Sequence, residues 1–182
     1  MTDIEFTLEP IPPFRLDFTA WALQRRADNR IDRWDGETYR RVLMLDDRPV
    51  ALAVTQRGTV DAPSLRVVAR GERVGSETIP GVSAVVERLL GLKVDLSDFY
   101  RLAEGDDRLG SLARRFRGLK PPRFPTPFEA LVNAITCQQI TLTLGIRILG
   151  RLAEAHGHPL PGGVADGKGT ELDARWALPR PA

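Results

Sequence analysis

The amino-acid sequence predicts an α+β protein, in which a small antiparallel sheet with helices precedes an all-helical lobe. Two observations predict this class. Apolar and β-branched runs bounded by turn residues fill the segment from residue 39 to residue 70. From Leu96 to about residue 157, apolar residues instead recur at helical spacing. The change of pattern predicts an N-terminal domain over residues 1–94 and a helical segment over residues 95–158.

The elements of the N-terminal domain follow from local signals. A short strand near Ile4 ends in a Pro-rich bend, and Asp17 is a candidate N-cap for a helix that runs to about residue 27. Strands over 39–45 and 50–56 flank a hairpin turn that contains Asp46 and Asp47. A third strand and a further helix follow, over 65–70 and 82–90. Because one face of such a sheet must be covered, we expect both helices to pack on the same face.

The helical segment carries clear capping signals. Asp106 or Asp107 is a candidate N-cap for a helix that contains Leu112 and Phe116. A second helix begins with Thr126 as its cap, has Pro127 at the first helical position and has an acidic residue, Glu129, three positions after the cap. Four apolar residues then form one stripe of this helix: Phe128, Leu131, Val132 and Ile135.

Gln138 and Gln139 interrupt that stripe where another apolar residue is expected. Thr141 is a candidate cap for the next helix, so the two amides are predicted to lie at a corner between two helices. A local conflict between pattern and residue type is typical of functional sites. The amides are also explained as the end of a core helix, and both interpretations stay open at this point.

Positive charge is concentrated in one segment. The chain has a formal net charge of only +2, but residues 108–123 hold six cations and no acid. This is the pattern expected beside a phosphate backbone. A solvated helix face with acids from elsewhere in the fold is the alternative. The predicted DNA contacts in this segment are Arg114, Arg115, Arg117, Lys120 and Arg123.

Composition excludes several protein classes. The chain has 182 residues, of which 42% are hydrophobic and 27% charged, a balance typical of globular proteins. No apolar run reaches the 18 or so residues of a membrane span, and the acidic N-terminus does not resemble a signal peptide. The one cysteine, Cys137, cannot form an internal disulfide and is predicted to be a core residue. These features predict a cytoplasmic protein.

Other candidate chemistry is weak. His156 and His158 are separated by a glycine and have no further metal-binding partner nearby in sequence, so no metal site is predicted. Asp46 and Asp47 are explained as turn residues rather than a catalytic pair. The sequence holds no Gly-rich phosphate loop, and no cofactor is predicted.

The segment around the two glutamines resembles a known family. Residues 125–140 read P-T-P-F-E-A-L-V-N-A-I-T-C-Q-Q-I, and the lead-in contains D-F-Y-R-L, L-A-R-R-F and G-L-K-P-P-R. Together they resemble the helix–hairpin–helix DNA glycosylases, most closely the bacterial DNA-3-methyladenine glycosylase II family. The resemblance spans about residues 11–157, and residues 95–155 carry most of it.

The resemblance implies roles for individual residues. In the family, the residue at the position of Gln138 lies beside the DNA lesion, and the residue at the position of Gln139 is the wedge that fills the gap left by the flipped base. Thr141 is included among the expected DNA contacts. The helix that carries Phe18 and Trp21 approaches the base pocket in related enzymes, so these two residues are candidates for lining it. Their spacing alone predicts core residues.

The implied function is base-excision DNA repair. Such an enzyme flips an alkylated purine such as 3-methyladenine out of duplex DNA and hydrolyses its N-glycosidic bond without metal or cofactor. The implied partner is double-stranded DNA with alkylated bases, and we expect a monomer. Two alternatives stay open: a non-catalytic module that binds DNA or a protein, and a structural α/β domain with no nucleic-acid role.

The family's catalytic parts are absent from the sequence. The family has a Gly-rich hairpin of the form L-P-G-I-G-x-x-T-A and, further on, a catalytic aspartate; neither pattern occurs here, and Asp166 and Asp173 lack the required context. We therefore expect an incomplete helical lobe, no catalytic residue and an inactive chain. Residues 159–182 are expected to be a disordered or out-of-frame tail, the product of a truncation or frame shift. Apolar side chains of the cut lobe should then be exposed. They are Leu131, Val132, Ile135, Leu142 and Leu149.

Overall fold

The computed structural model describes residues 1–160, 164–165, 171–172 and 176–179. An antiparallel sheet of five strands, in the order β1-β5-β4-β3-β2, forms its centre. The strands are β1 (Thr2–Leu8), β2 (Arg33–Trp34), β3 (Thr38–Leu45), β4 (Arg48–Gly58) and β5 (Pro63–Gly71). The helices are α1 (Leu16–Gln24), α2 (Ile79–Leu90), α3 (Ser97–Glu104), α4 (Asp107–Arg115), α5 (Pro127–Cys137) and α6 (Leu142–His156). The predicted α+β class is confirmed.

The β3–β4 hairpin is tighter than the sequence predicts. Asp46 and Asp47 alone form the turn, with φ angles of 45° and 59°, and Leu45 pairs directly with Arg48. Two successive residues with positive φ are typical of the turn that matches the twist of a two-residue hairpin. The two aspartates are therefore turn residues, as predicted.

Helix α1 differs from the prediction at both ends. Arg15, not Asp17, occupies the N-cap position, and Asp17 lies in the first turn. The carboxylate of Asp17 accepts a hydrogen bond from the Arg15 Nε at 3.0 Å, so the side chain pairs with a neighbouring cation instead of capping the backbone. The helix ends at Gln24 because Arg25 has a φ of 58°, which is incompatible with a right-handed helix.

The main apolar core lies between one face of the sheet and helices α1 and α2, as predicted. The sheet contributes alternate residues of its central strands, and the helices contribute their buried stripes. Fully buried members are Leu16 and Ala20 of α1, Val86 and Leu89 of α2, and Leu52, Val54, Leu65 and Val67 of the sheet.

The opposite face of the sheet is covered by residues that the sequence assigns to a tail. Strand β6 (His158–Pro159) pairs with β9 (Trp176–Ala177), and Leu160 and Ala177 pack on Val42 of β3. Two further short strands, β7 (Val164–Ala165) and β8 (Glu171–Leu172), pair with each other. The disorder predicted for residues 159–182 therefore does not extend to Leu160 or to residues 176–179. Residues 161–163, 166–170, 173–175 and 180–182 lie outside the described residues, and so do Asp166 and Asp173.

The remaining helices follow the sheet in chain order. Asp106 caps α4, since its carboxylate accepts a hydrogen bond from the Leu109 amide at 2.8 Å, and this confirms one of the two predicted caps. Helix α6 packs through Ile146 and Leu149 against Ile31, which precedes β2. None of the helices in the described part of the chain is both long and apolar enough to cross a bilayer.

Candidate nucleic-acid interface

The predicted corner between α5 and α6 is present. Thr126 caps α5 by accepting a hydrogen bond from the Glu129 amide at 3.1 Å, and Pro127 occupies the first helical position. Thr141 caps α6 in the same way, with its Oγ1 3.3 Å from the Leu144 amide. Both predicted caps are therefore confirmed, and they place the end of one helix next to the start of the other.

Gln138 and Gln139 form the turn at this corner, and both side chains are exposed. Gln138 is extended, whereas Gln139 has a φ of 56°. This left-handed conformation costs a non-glycine residue about 1–2 kcal/mol. Strained backbone of this kind is concentrated at functional sites. The corner thus combines solvent-exposed amides with a backbone conformation that the surrounding helices impose.

A glycine allows the two helices to approach at the corner. A Cβ atom on Gly145 would lie 2.7 Å from the Cys137 Sγ and 3.2 Å from its Cα. Real Cβ atoms do not approach other atoms so closely, so any side chain at this position would push α6 away from α5. Cys137 is half-buried in this contact, which agrees with its predicted packing role.

One face of α1 joins the corner region to the basic segment. Phe18 and Trp21, three residues apart, share this face, and Arg25 follows directly after the end of the helix. Phe18 makes an edge-to-face contact with Phe116, with ring centroids 5.6 Å apart. At the other end, the Arg25 Nη1 donates a hydrogen bond to the Asn133 Oδ1 of α5 at 3.2 Å.

Trp21 lies between these two contacts and is 64% exposed. Phe18 is half-buried, as its contact with Phe116 requires. The expectation of a core position is therefore wrong for Trp21, because the opposite face of α1 already fills the sheet core. A bare indole on a rigid helix is suited to stacking. The pocket-lining role implied for Phe18 and Trp21 stays a prediction.

The basic segment adjoins this face of α1. Arg114, Arg115 and Arg123 are exposed, and the Arg115 guanidinium lies 5.5 Å from the centroid of the Phe116 ring. Arg117 is also exposed but forms an ion pair with Asp61, with an Nη2–Oδ1 distance of 2.5 Å. This pair holds the pKa of Asp61 below its usual value. The exposed arginines remain available for phosphate, whereas Arg117 would first have to leave Asp61.

Lys120 does not belong to this surface, and its predicted contact with DNA is wrong. Its side chain is buried, and its Nζ donates a hydrogen bond to the Val94 carbonyl at 2.6 Å. Burial lowers the pKa of Lys120, partly offset by the nearby charge of Asp95. The amide of Lys120 also donates to the Thr19 Oγ1 at 3.4 Å, so this residue anchors the segment to α1.

Behind α5 lies a buried ionic cluster that the sequence reasoning missed. The guanidinium of Arg41 in β3 donates to the Asp32 Oδ1 at 2.8 Å and, through Nη2, to the Glu129 carboxylate of α5. The Tyr39 hydroxyl donates to the same Asp32 oxygen at 2.5 Å. Burial alone would lower the pKa of Arg41, but the two carboxylates outweigh it and raise that pKa well above its ordinary value. Burial and Asp32 also raise the pKa of Tyr39.

One weak signal could have revealed this cluster. Arg40 and Arg41 interrupt an otherwise apolar strand, and buried arginines are almost always paired. Their partners could not have been named, since Arg41 and Glu129 are 88 residues apart in sequence. The sequence pattern predicts only a capping role for Glu129.

The two histidines near the end of α6 belong to no metal-binding group in the described part of the chain. His156 and His158 are exposed near the end of α6. Within the described ranges, His, Cys, Asp and Glu side chains nowhere gather in a group of three that could hold a metal ion.

Comparison with solved structures gives a match over almost the whole chain. The fold matches a 3-methyladenine DNA-glycosylase from Archaeoglobus fulgidus with a TM-score of 0.72. The match covers 96% of this chain at 20% sequence identity. At this identity it shows the fold alone.

Sequence comparison adds a curated relative. A DNA-3-methyladenine glycosylase from Bacillus subtilis (strain 168) is 38% identical over 63 residues, which is 35% of this chain. The predicted family resemblance is confirmed. No family model matches the sequence.

The resemblance to the DNA-3-methyladenine glycosylases covers only a part of each relative. The alignments span 21% of the Bacillus protein and 56% of the Archaeoglobus chain. The chain therefore spans well under two thirds of these glycosylases.

Proposed function

We propose that this chain supplies the lesion-binding corner of a base-excision DNA glycosylase that removes alkylated purines such as 3-methyladenine from duplex DNA. The observation that carries the proposal is the exposed Gln138–Gln139 corner on a fold that matches a 3-methyladenine DNA-glycosylase with a TM-score of 0.72. Both relatives bear glycosylase names, which favours this function over a non-catalytic binding module.

The corner has the shape and chemistry for filling a gap in duplex DNA. An extruded nucleotide leaves a hole whose neighbouring bases have lost their stacking partner. Gln139, held in a left-handed conformation at the tip of the turn, would occupy that hole, with Gln138 beside it. The amides can donate and accept hydrogen bonds with the edge of the opposite base.

The surfaces beside the corner would bind the rest of the DNA. Trp21 offers a ring on which a base can stack, and stacking of this kind does not depend on base identity. Arg114, Arg115 and Arg123 would bind phosphates, and Thr141, whose hydroxyl caps α6, would contact DNA at the start of that helix. We assign these residues to recognition and not to bond cleavage.

We further propose that the chain alone does not hydrolyse the N-glycosidic bond. The two carboxylates behind α5, Asp32 and Glu129, are both bound to Arg41 and are not free to stabilise a sugar cation. The family resemblance assigns that task to an aspartate that follows a Gly-rich hairpin, and this pattern does not occur in the sequence. Robust release of free base from methylated DNA by the purified chain would contradict this part of the proposal.

The binding part is tested with two duplexes that differ at one position. Anisotropy titration would compare a duplex that contains a single abasic-site analogue with the same duplex undamaged, at fixed salt. We expect the damaged duplex to bind about tenfold more tightly or better, because the gap is already open and costs no unstacking. Equal affinities, or no binding of either duplex at low salt, would exclude a lesion-binding corner.

A further inference from the structure

Helix α5 carries the corner, yet none of its residues is buried. Four of its apolar side chains, Phe128, Ala130, Val132 and Cys137, are half-buried, and the last two pack against the cluster around Ile146 and Leu149. Leu131 and Ile135, on the opposite side, are 62% and 63% exposed. Burial of apolar side chains usually fixes the position of a helix in a protein. In α5, no side chain is fully buried, so this contribution is small.

Two polar contacts attach α5 to the rest of the protein. The Glu129 carboxylate accepts a hydrogen bond from Arg41 of the sheet, and the Asn133 Oδ1 accepts one from Arg25 at the end of α1. Glu129 and Asn133 are four residues apart and thus lie on the same face of the helix. Attachment at two points to two different elements fixes both the position of α5 and its rotation about its own axis.

The sheet end of this attachment is rigid. Arg41 is buried, and Asp32 binds the Nη1 of its guanidinium, whereas Glu129 binds Nη2. Tyr39, also fully buried, holds Asp32 in turn. A charge-assisted hydrogen bond in such surroundings is strong, and loss of one partner leaves an uncompensated buried charge.

We propose that the Arg41–Glu129 and Arg25–Asn133 contacts, rather than apolar burial, hold α5 in the orientation in which the Gln138–Gln139 corner meets DNA. The four residues are positioning residues that act through the corner and do not themselves touch DNA. The DNA half of this inference rests on the proposed function. The positioning of α5 does not.

The positioning half is tested by amide hydrogen exchange of α5 in Glu129→Gln. Glu104→Gln is the matched control, since Glu104 is an exposed helical glutamate on α3 and its replacement changes the net charge equally. We expect α5 amides to exchange about tenfold faster in Glu129→Gln, the usual effect of losing a hydrogen bond to a charged group. Exchange in β1 and β5, which do not neighbour β3 in the sheet, should stay unchanged, as should all exchange in Glu104→Gln. Unchanged exchange of α5 in Glu129→Gln overturns the proposal.

Asn133→Ala provides an independent test, because the proposal and its alternative predict opposite changes in the exchange rate of the α5 amides. Alanine has the higher helix propensity, so without a tether this substitution would slow exchange in α5. If the Arg25–Asn133 contact holds the helix, exchange becomes faster despite that gain. Slower exchange would overturn the proposal, and this test decides the question if Glu129→Gln does not fold.

The DNA half is tested with the same variants. We expect Glu129→Gln and Asn133→Ala to lose most of the preference for the abasic duplex, while their binding to the undamaged duplex changes no more than that of Glu104→Gln. Retained preference with faster α5 exchange overturns the link to DNA. If the unmodified chain itself shows no preference, the proposed function fails, and the exchange results alone decide the positioning of α5.

Discussion

Trp21 presents a largely exposed indole on the same helical face as Phe18. If it stacks on a base, Trp21→Ala should weaken DNA binding by about 1–3 kcal/mol. Because the side chain is 64% exposed, thermal stability should change little. Leu102→Ala is the matched control, since Leu102 on α3 is an apolar side chain with 72% exposure. Anisotropy titration of the three proteins checks the prediction, and equal affinities of all three would remove Trp21 from the interface.

Arg114 and Lys120 should respond differently to salt. Arg114→Gln is expected to lower the slope of log affinity against log salt by about 1, the effect of losing one phosphate contact. Lys120→Met should leave that slope unchanged but lower the free energy of unfolding by about 1–3 kcal/mol, because the Val94 carbonyl loses its buried donor. Titrations at several salt concentrations, together with denaturant unfolding, separate the two effects. A lower slope for Lys120→Met would place that residue on the DNA surface after all.

At the residue scale, sequence reasoning succeeded for side chains whose role is local. Asp106, Thr126 and Thr141 cap their own helices, and such bonds span only three residues. It failed for Lys120, since a linear count of charges does not reveal which cations the fold buries. It also failed for Arg41, whose partner lies on a distant helix.

At the element scale, the contact between α5 and α6 depends on one glycine. Gly145→Ala would place a methyl group 2.7 Å from the Cys137 Sγ, so the helices must separate. We expect a loss of stability of about 1–3 kcal/mol from overpacking, partly offset by the better helix propensity of alanine. Addition of Cys137→Ala to the Gly145→Ala variant should restore part of the lost stability.

Gly150→Ala is the control for this prediction. Gly150 lies on the same helix, but a Cβ there would only meet the Arg30 side chain at 3.5 Å or more, an ordinary contact. This substitution should stabilise the protein by up to about 1 kcal/mol through helix propensity. Thermal unfolding ranks the three variants. If Gly145→Ala were as stable as Gly150→Ala, the close approach of α5 and α6 would not be needed.

The order and type of the elements were largely predictable, because hairpins and capped helices carry local signals. Strand β2 was missed, since two residues are too short for a pattern. The sequence also does not predict which residues cover the second face of the sheet. Leu160 and Ala177 pack on Val42, but their segments have no periodicity that could have indicated it.

At the scale of the whole molecule, an apolar surface remains uncovered around the corner. Leu131, Ile135 and Leu142 are exposed, as predicted for an incomplete lobe, whereas Val132 is half-buried and Leu149 is buried against Ile31. The prediction is thus wrong for Leu149, because the segment before β2 supplies a partner that the sequence did not reveal.

This surface should bind an apolar dye. We expect dye fluorescence to rise with the folded chain and to fall in Leu131→Gln/Ile135→Gln, while the unfolding temperature of that variant stays close to that of the unmodified chain. Leu52→Gln, a change in the sheet core, should instead unfold the protein. Absence of dye binding by the folded chain would mean that this surface is covered in solution.

Entry of the Gln138–Gln139 corner into a gap in duplex DNA can be measured directly. The fluorescence of 2-aminopurine placed opposite an abasic-site analogue is recorded as the chain is added. Insertion of Gln139 should unstack the probe and raise its fluorescence, and Gln139→Ala should bind with a smaller rise. If the unmodified chain binds this duplex without any change in fluorescence, or if Gln139→Ala gives the same rise, the corner does not enter the gap.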